Sequence, residues 1–351
     1  TAILPSDANI FIEDLPNDSA IFASAAINIF IPNSEIPPHN LTNIDKIDLI
    51  LTKNQYTNDL YTNYVAAGGH TQKLKLSKIV YDMVTQYKPV FAPLYDTSDD
   101  EIRADTISTT PLKATVVKTL FTSKVPLVTN DMHSNIQTTL SNKKREVLHL
   151  AGKSHLKNTI YILKCWMDHS DLPKLNVVCK GYCEGSIEEH VRSTSMDFDF
   201  DGIKSGKYSN IKYYNTFLPD EELYELQQNC MIHLCPSSSE GFGHYLNEAR
   251  VLGSVLVTSD HPPMNELITP ESGYLIPVLD TSYMGSIGAQ RCTLDPNAIY
   301  NVIQQAFSAH IIDNSAKCLK AIEQFERDLE IFKNKMNDLS KTIKSGKMPT
   351  L

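Results

Sequence analysis

The sequence predicts an α/β protein made of two doubly wound domains, each a mostly parallel sheet covered by helices. Three observations carry that prediction. Short apolar runs rich in β-branched residues recur along the chain, bounded by Pro, Asn and Asp, as strands buried on both faces would be. Polar segments with helical spacing separate them, which is the strand–helix alternation of a parallel sheet. A length of 351 residues exceeds the roughly 100–200 residues of a single domain.

The first strands are expected at Ala8–Ile12, Ile27–Ile31 and Ile47–Leu51. The acidic, weakly periodic stretch Asp96–Thr110 reads as a surface loop. A domain boundary is expected near Asn130–Lys144, a polar stretch that ends in a basic cluster. A second series opens with a strand at Val147–Leu150, a helix near Asn158–Met167, and strands at Leu175–Cys179 and Ile211–Tyr214. A helix over Asp220–Asn229 places Asp220 at its start, where a negative charge is favoured. Met231–Cys235 reads as a buried strand stopped by Pro236. A helix over Tyr245–Leu252 and a strand at Val255–Val257 follow. In the tail, Cys318, Ile322, Phe325, Leu329, Phe332, Met336, Leu339 and Ile343 recur by fours and threes, a heptad-like seam on a charged helix. That seam is read first as packing onto its own domains, with a homodimer through the helix as the other use. The expected division is 1–140, 141–315 and a helical tail at 316–351.

Composition excludes some functions. A formal net charge of −9 argues against a nucleic-acid partner, which calls for a basic face. No apolar run approaches the ~20 residues of a membrane span, and the N-terminus has no signal-peptide pattern. Seven scattered cysteines with no CxxC pair suit a reducing compartment better than a disulfide framework, so a soluble, cytoplasmic protein is expected.

The segment that carries most chemistry is Cys235-Pro-Ser-Ser-Ser-Glu-Gly-Phe-Gly-His-Tyr-Leu-Asn-Glu248. A buried strand ends at a proline, and Gly241 and Gly243 precede a helix. Glycines there allow close backbone approach, and a helix start offers free N–H groups to an anion. Glu240 and Glu248 bracket that helix start, one suited to sugar hydroxyls and the other to a ribose. The carboxyl end of a parallel strand is where open α/β sheets bind ligands.

These residues resemble the retaining glycosyltransferases of family 4, which carry a Glu-x7-Glu motif in this context. Asp260-His-Pro-Pro-Met-Asn-Glu266 resembles a subgroup with Pro-Pro-Met-Asn-Glu in the next loop, and Leu150-Ala-Gly-Lys-Ser-His-Leu-Lys157 resembles the family's basic pair. The resemblance covers about 147–277. It implies a GT-B fold of two facing Rossmann-like domains, with a long C-terminal helix added here. Lys153 and Lys157 are then expected to hold the donor diphosphate. Glu240, Gly241, Phe242, Gly243 and His244 would position the sugar, and Glu248 the ribose. Asn215-Thr-Phe-Leu218 matches the loop that touches the base, through Thr216, Phe217 and Leu218.

The resemblance also implies transfer from a nucleoside-diphosphate sugar, UDP- or GDP-linked, with retention and without metal or other cofactor. The acceptor could be a glycan, a lipid-linked group or a protein. In the first half, Ile31-Pro-Asn-Ser-Glu35, Leu51-Thr-Lys53 and Phe121-Thr-Ser123 resemble subgroup elements. The family's opening strand and Gly-rich loop are not seen before them, and about fifty residues between Tyr64 and Ala114 look inserted. A degenerate nucleotide-sugar-binding domain and a nucleotide-sugar epimerase are therefore weighed beside the transferase.

Other motifs weigh less. Ala151-Gly-Lys-Ser154 resembles the end of a P-loop but lacks its first glycine, since Val147 stands there. Asp197-Phe-Asp-Phe-Asp-Gly202 opens like a calcium loop, yet Tyr208 replaces the bidentate Glu, so a solvated turn is expected and no metal site. Gly68-Gly69-His70 offers His70 as a candidate catalytic group in the cleft. His233, inside an apolar run, is expected to be a satisfied core residue, and Lys53 a surface or cleft lysine.

Overall fold

The computed structural model describes residues 6–33, 35, 41–66, 115–118, 130–179, 181–194, 196–216, 218–284 and 287–345. The expected loop at 96–110, His70, Phe217, the 121–123 element and the segment read as inserted, from 67 to 114, lie outside the described residues.

In the N-terminal half, β1 (Ser6–Ile12), β2 (Ala25–Ile31), β3 (Leu49–Thr52) and β4 (Thr115–Lys118) form a parallel sheet in that order. Strand alternation sends neighbouring residues to opposite faces. Phe30 and Ile50 pack with Tyr61 and Tyr64 of α1 (Gln55–Ala66) and with Leu15, Phe22 and Ile47. Ile27, Ile29, Ile31, Leu49 and Leu51 pack on the other face. With both faces covered, β3 tolerates no polar side chain except buried Thr52 at its end.

The second sheet has the order β10-β9-β8-β5-β6-β7 and is parallel throughout. Its strands are β5 (Lys144–Gly152), β6 (Leu175–Cys179), β7 (Ile211–Tyr214), β8 (Cys230–Cys235), β9 (Val255–Ser259) and β10 (Tyr274–Ile276). The chain starts at the centre with β5, runs outward through β6 and β7, then returns to the other side at β8. Strand order therefore reverses between β5 and β8, a topological switch point. The helices of this half are α2 (Asn130–Ser141), α3 (Thr159–Asp168), α4 (Tyr182–Thr194), α5 (Phe200–Ser205), α6 (Asp220–Asn229), α7 (His244–Arg250), α8 (Met264–Leu267) and α9 (Pro296–Ser308). The stretch expected to hold the domain boundary is helix α2 running into β5. The acidic run at 197–202 is the cap of α5. Asp199 accepts from Gly202 N at 2.8 Å and pairs with Lys207 at 2.6 Å.

Two elements tie the halves together. Helix α10 (Ile311–Ser345) is 35 residues long, about 50 Å of helix. Its Cys318 and Ile322 lie in the core of the second sheet, Phe325 packs on Val251 and Leu252, and Leu339 and Met336 cover the first sheet. The seam is therefore spent inside its own chain, and a homodimer through it is not supported. Arg250, wholly buried on α7, anchors the helix by an ion pair to Asp328 at 2.6 Å. An antiparallel hairpin, β11 (Val278–Met284) and β12 (Ala289–Leu294), is the second tie. Met284, Ile287 and Ala289 at its tip enter the N-terminal core, while Cys292 and Leu294 at its base belong to the other half.

Among the described residues no helix is long and apolar enough to cross a membrane. Five cysteines, 165, 230, 235, 292 and 318, are free and buried, acting as small hydrophobes. Cys179 is disulfide-bonded, which corrects the expectation of a chain without disulfides at that residue.

Two histidines sit inside the second sheet. His149 Nδ1 bonds Leu234 O at 2.9 Å and Nε2 faces Thr159 Oγ1 at 3.0 Å, partners that suit one neutral tautomer. His233 Nε2 bonds Gln227 O at 2.8 Å, so it is a satisfied core residue as expected. Burial pushes the first down to about 4 and the second to about 3. Because both folded values lie below the unfolded one, their contribution is complete above about pH 6.5 and is lost as pH falls toward those values. Each adds a slope of up to about 1.4 kcal/mol per pH unit in that window. Urea unfolding followed by the single, fully buried Trp166 should show stability falling from pH 6.5 to 5, and His233→Gln should lower the slope by up to about 1.4 kcal/mol per pH unit. A flat profile would mean the imidazoles are not buried neutral.

Candidate functional site

Because every strand of both sheets is parallel, the polar residues that follow the strands collect at the carboxyl edges. In the second sheet the edge between β5 and β8 is the crevice at the switch point. After β5, Ser154 Oγ accepts from Leu156 N at 3.2 Å and starts a 3-10 turn over His155–Lys157. After β8, Pro236 leads into the loop 236–243. Lys157 Nζ meets Glu240 Oε1 in an ion pair, with side chains only 12% and 3% exposed. The ammonium also lies 4.4 Å from the centre of the Tyr245 ring. Ser237 Oγ donates to Glu240 Oε1 at 2.5 Å and shares a hydrogen bond with Tyr245 OH. A buried ion pair needs such extra partners to offset desolvation.

The loop is held from all sides. Ser238 N donates to Leu156 O at 2.7 Å, Cys292 N to Ser238 O at 2.8 Å, and Ser259 Oγ to Ser237 O at 2.8 Å. Ser239 Oγ, next to Glu240, is buried and has no hydrogen-bond partner among the described residues, a feature that calls for an explanation in any native loop. Gly243 has φ +76°, the left-handed turn into α7, where a Cβ would also lie 2.7 Å from Leu267 Cδ1. Gly241 is glycine for another reason: a Cβ there would fall 1.7 Å from Asn33 Oδ1. The close backbone approach expected at Gly241 is thus made by a residue of the other half.

The N-terminal sheet brings its own strand ends to the same place. Glu13 follows β1, Asn33 and Glu35 follow β2, and Lys53 and Asn54 follow β3. Glu13 has φ 69°, an uncommon conformation for a side-chain-bearing residue. Its carboxylate accepts from Asn33 Nδ2 at 3.2 Å. Asn54 Nδ2 donates to Gly241 O at 3.0 Å while its Oδ1 caps α1 through Thr57 N at 2.7 Å. The Glu35 carboxylate lies near the Gly241 backbone, which acts to lower its pKa. Burial and the charge of Glu240 raise its pKa, and Lys157, that backbone and Lys53 oppose the rise. Burial lowers Lys53, with Glu13 and Glu35 opposing.

Of the residues singled out by sequence, Lys157, Glu240 and the Gly241–Gly243 backbone come together. Lys153 lies exposed on the turn after β5. His244 is exposed, its ring 4.8 Å from that of Phe242. Glu248, on α7, accepts from Gln227 Nε2 of α6 at 3.1 Å, and burial raises its pKa against that bond and His244. Both glutamates lie close enough to Cys235, at the end of β8, to help raise its thiol, after burial. Exposed Thr216 and buried Leu218 follow β7 at the sheet's edge. Sequence reading missed the roles of Glu35 and Glu13, and of Glu266, which accepts from Gln55 N and Tyr56 N, both at 2.7 Å. For Glu13 and Glu35 the available signal was positional, since both come just after an apolar strand run; Glu266, inside α8, had no such signal.

Comparison with known proteins bears on this arrangement. Residues 205–282 match the family described as Glycosyl transferases group 1. No curated protein sequence matches the chain. Among solved structures, the chain is similar to the pneumococcal O-GlcNAc transferase GtfA, solved with UDP and GlcNAc, at 14% identity and a TM-score of 0.54, over 98% of this chain and 57% of that one. It is similar to Anabaena Alr3699/HepE, solved with UDP, at 13% identity and a TM-score of 0.54, over 95% and 79%. It is also similar to the α,α-trehalose 6-phosphate synthase of Burkholderia multivorans, at 8% identity and a TM-score of 0.59, over 97% and 71%. The chain thus spans a little over half the length of GtfA. Its fold is GT-B, as these neighbours and the two parallel sheets agree.

The Glu266 carboxylate sits on two free N–H groups at the start of α1, where a negative charge is favoured. Glu266→Ala should cost about 0.5–2 kcal/mol in urea unfolding and speed amide exchange of Gln55 and Tyr56. Unchanged exchange at both amides would show that the contact does not form in solution.

Proposed function

We propose that this chain is a glycosyltransferase that takes its sugar from a UDP- or GDP-sugar, with retention of configuration and without a metal. The observation that carries this reading is the Lys157–Glu240 pair on the loop at the β5/β8 switch point, faced by the strand ends of the other half. The group 1 match over the same loop supports it, as do neighbours solved with UDP. The division into 1–140, 141–315 and a tail is part of the same proposal.

In this reading the diphosphate lies along the turn after β5, where Lys153 and Lys157 stabilise the charge that develops on it. These two cations do the electrostatic work that a metal does elsewhere. Glu240 accepts from sugar hydroxyls, and the Gly241–Gly243 backbone with His244 completes the sugar seat. Glu248 accepts from the ribose, and 216–218 receive the base. The acceptor oxygen bonds to the anomeric carbon as the bond to the β-phosphate oxygen breaks. The acceptor proton passes to the departing phosphate, so no enzymic nucleophile is needed. The acceptor is a hydroxyl of a glycan, a lipid-linked group or a protein.

Thermal stability measured against UDP, GDP, dTDP, ADP and their sugars, with no metal added, tests the donor site. A ligand at ~100 times its dissociation constant stabilises by about 2.7 kcal/mol. Lys153→Ala, an exposed change, should weaken diphosphate binding by about 1.5–3 kcal/mol. Glu240→Gln should impair sugar transfer more than binding of the bare diphosphate. Silence to every nucleotide would overturn the reading, and binding without transfer to any acceptor would leave a nucleotide-sugar-binding module.

A further inference from the structure

We propose that Glu35 is a specificity-determining residue of the sugar seat, making it select a neutral, hydroxyl-bearing sugar and reject one that carries a carboxylate. The inference rests on the donor reading of the 240–243 loop and adds a residue from the opposite half of the molecule.

The position of Glu35 is built, not incidental. Its own N–H donates to Asn33 Oδ1 at 3.1 Å, and that side chain lies against the Gly241 backbone where no Cβ could fit. Asn33 is oriented in turn by its bond to Glu13, and Asn54 holds the Gly241 carbonyl. The turn after β2 is thus moulded onto the loop that carries Glu240. Through Asn33, Glu35 is held beside Gly241, whose backbone is assigned to the sugar, and its carboxylate feels the charge of Glu240.

The charges around that backbone decide what can sit there. Glu35 and Glu240 are near enough to repel each other, and Lys157 is engaged by Glu240. Lys53 is the other cation that acts on Glu35, and it is shared with Glu13. A hydroxyl-bearing sugar suits two carboxylates, because each hydroxyl can donate to an oxygen that only accepts. A uronic acid adds a third carboxylate beside these two, so like charges meet in a partly desolvated place. The overall charge of −9 offers no compensating long-range attraction.

Calorimetric titration of the full chain with UDP, UDP-glucose and UDP-glucuronate tests the assignment, with GDP, GDP-mannose and GDP-mannuronate run alongside. The wild-type chain should bind the neutral sugar nucleotide at least tenfold more tightly than the uronate. Glu35→Gln keeps the size and one acceptor oxygen. It should cut that ratio to threefold or less while the bare diphosphate shifts by less than threefold. Glu35→Asp, which keeps the charge, should retain most of the ratio and controls for disturbance of the turn. An unchanged ratio in Glu35→Gln, or no discrimination in the wild type, would overturn the role of Glu35 while leaving the donor reading intact. No response to either nucleotide series would instead remove the donor reading, and Glu35 with it.

Discussion

The structure depends on one constraint: all strands within each large sheet run the same way. A parallel sheet buries both faces, so its strands are apolar and its chemistry can only sit where the strands end. In this chain both sheets place those ends against each other. Glu13, Asn33, Glu35, Lys53 and Asn54 from one sheet meet Lys157, Glu240 and Gly241 from the other. Neither half has this set alone.

The electrostatics of that meeting are costly and specific. Lys157 and Glu240 are both removed from water, and removing one partner of such a pair leaves an uncompensated charge, typically worth about 3–5 kcal/mol. Ser237, Tyr245 and the cation–ring contact spread the cost over several partners. Glu35 works against the pair, because it adds a like charge beside Glu240; burial first, and then that charge, raise its pKa. A core selected only for stability would put an apolar residue there. Retaining three carboxylates, Glu13, Glu35 and Glu240, within one polar cluster is the pattern expected where local stability gives way to ligand chemistry.

The sequence reading reached some of this and not the rest, for identifiable reasons. β6, β7 and α6 lie where periodicity placed them, because buried strands and an acidic helix start leave local signals. Lys157 and Glu240 were legible through motifs, although 83 residues separate them. The hairpin β11–β12 was missed: its exposed run mixes Leu279 and Tyr283 with polar residues in no regular pattern, and its apolar tip is buried against the other half. Within the stretch expected to hold the boundary, the helix Asn130–Ser141 was not foreseen, because its polar composition hides the face that packs on α10. Glu266 was read as part of a loop motif, whereas its two bonds run to amides 210 and 211 residues away. Contacts of that kind leave no periodic trace.

The contacts that join the halves also differ in what they cost to break. Apolar contacts along α10 and at the hairpin tip lose transfer free energy as soon as water enters, at roughly 25 cal/mol per Å². Polar contacts at the cleft exchange one hydrogen bond for another with water, a net change of about 0.5–1.5 kcal/mol for a neutral pair such as Asn54 to Gly241 and about 1.5–3 kcal/mol for a charged one such as Glu266 to α1. The Arg250–Asp328 pair stiffens the apolar side further, since Arg250 is wholly buried and cannot be rehydrated without moving α10. The back of the molecule is therefore energetically continuous and its cleft divisible. That asymmetry lets the contacts between strand ends be exchanged one for one with water while the helix and hairpin keep the two sheets in register.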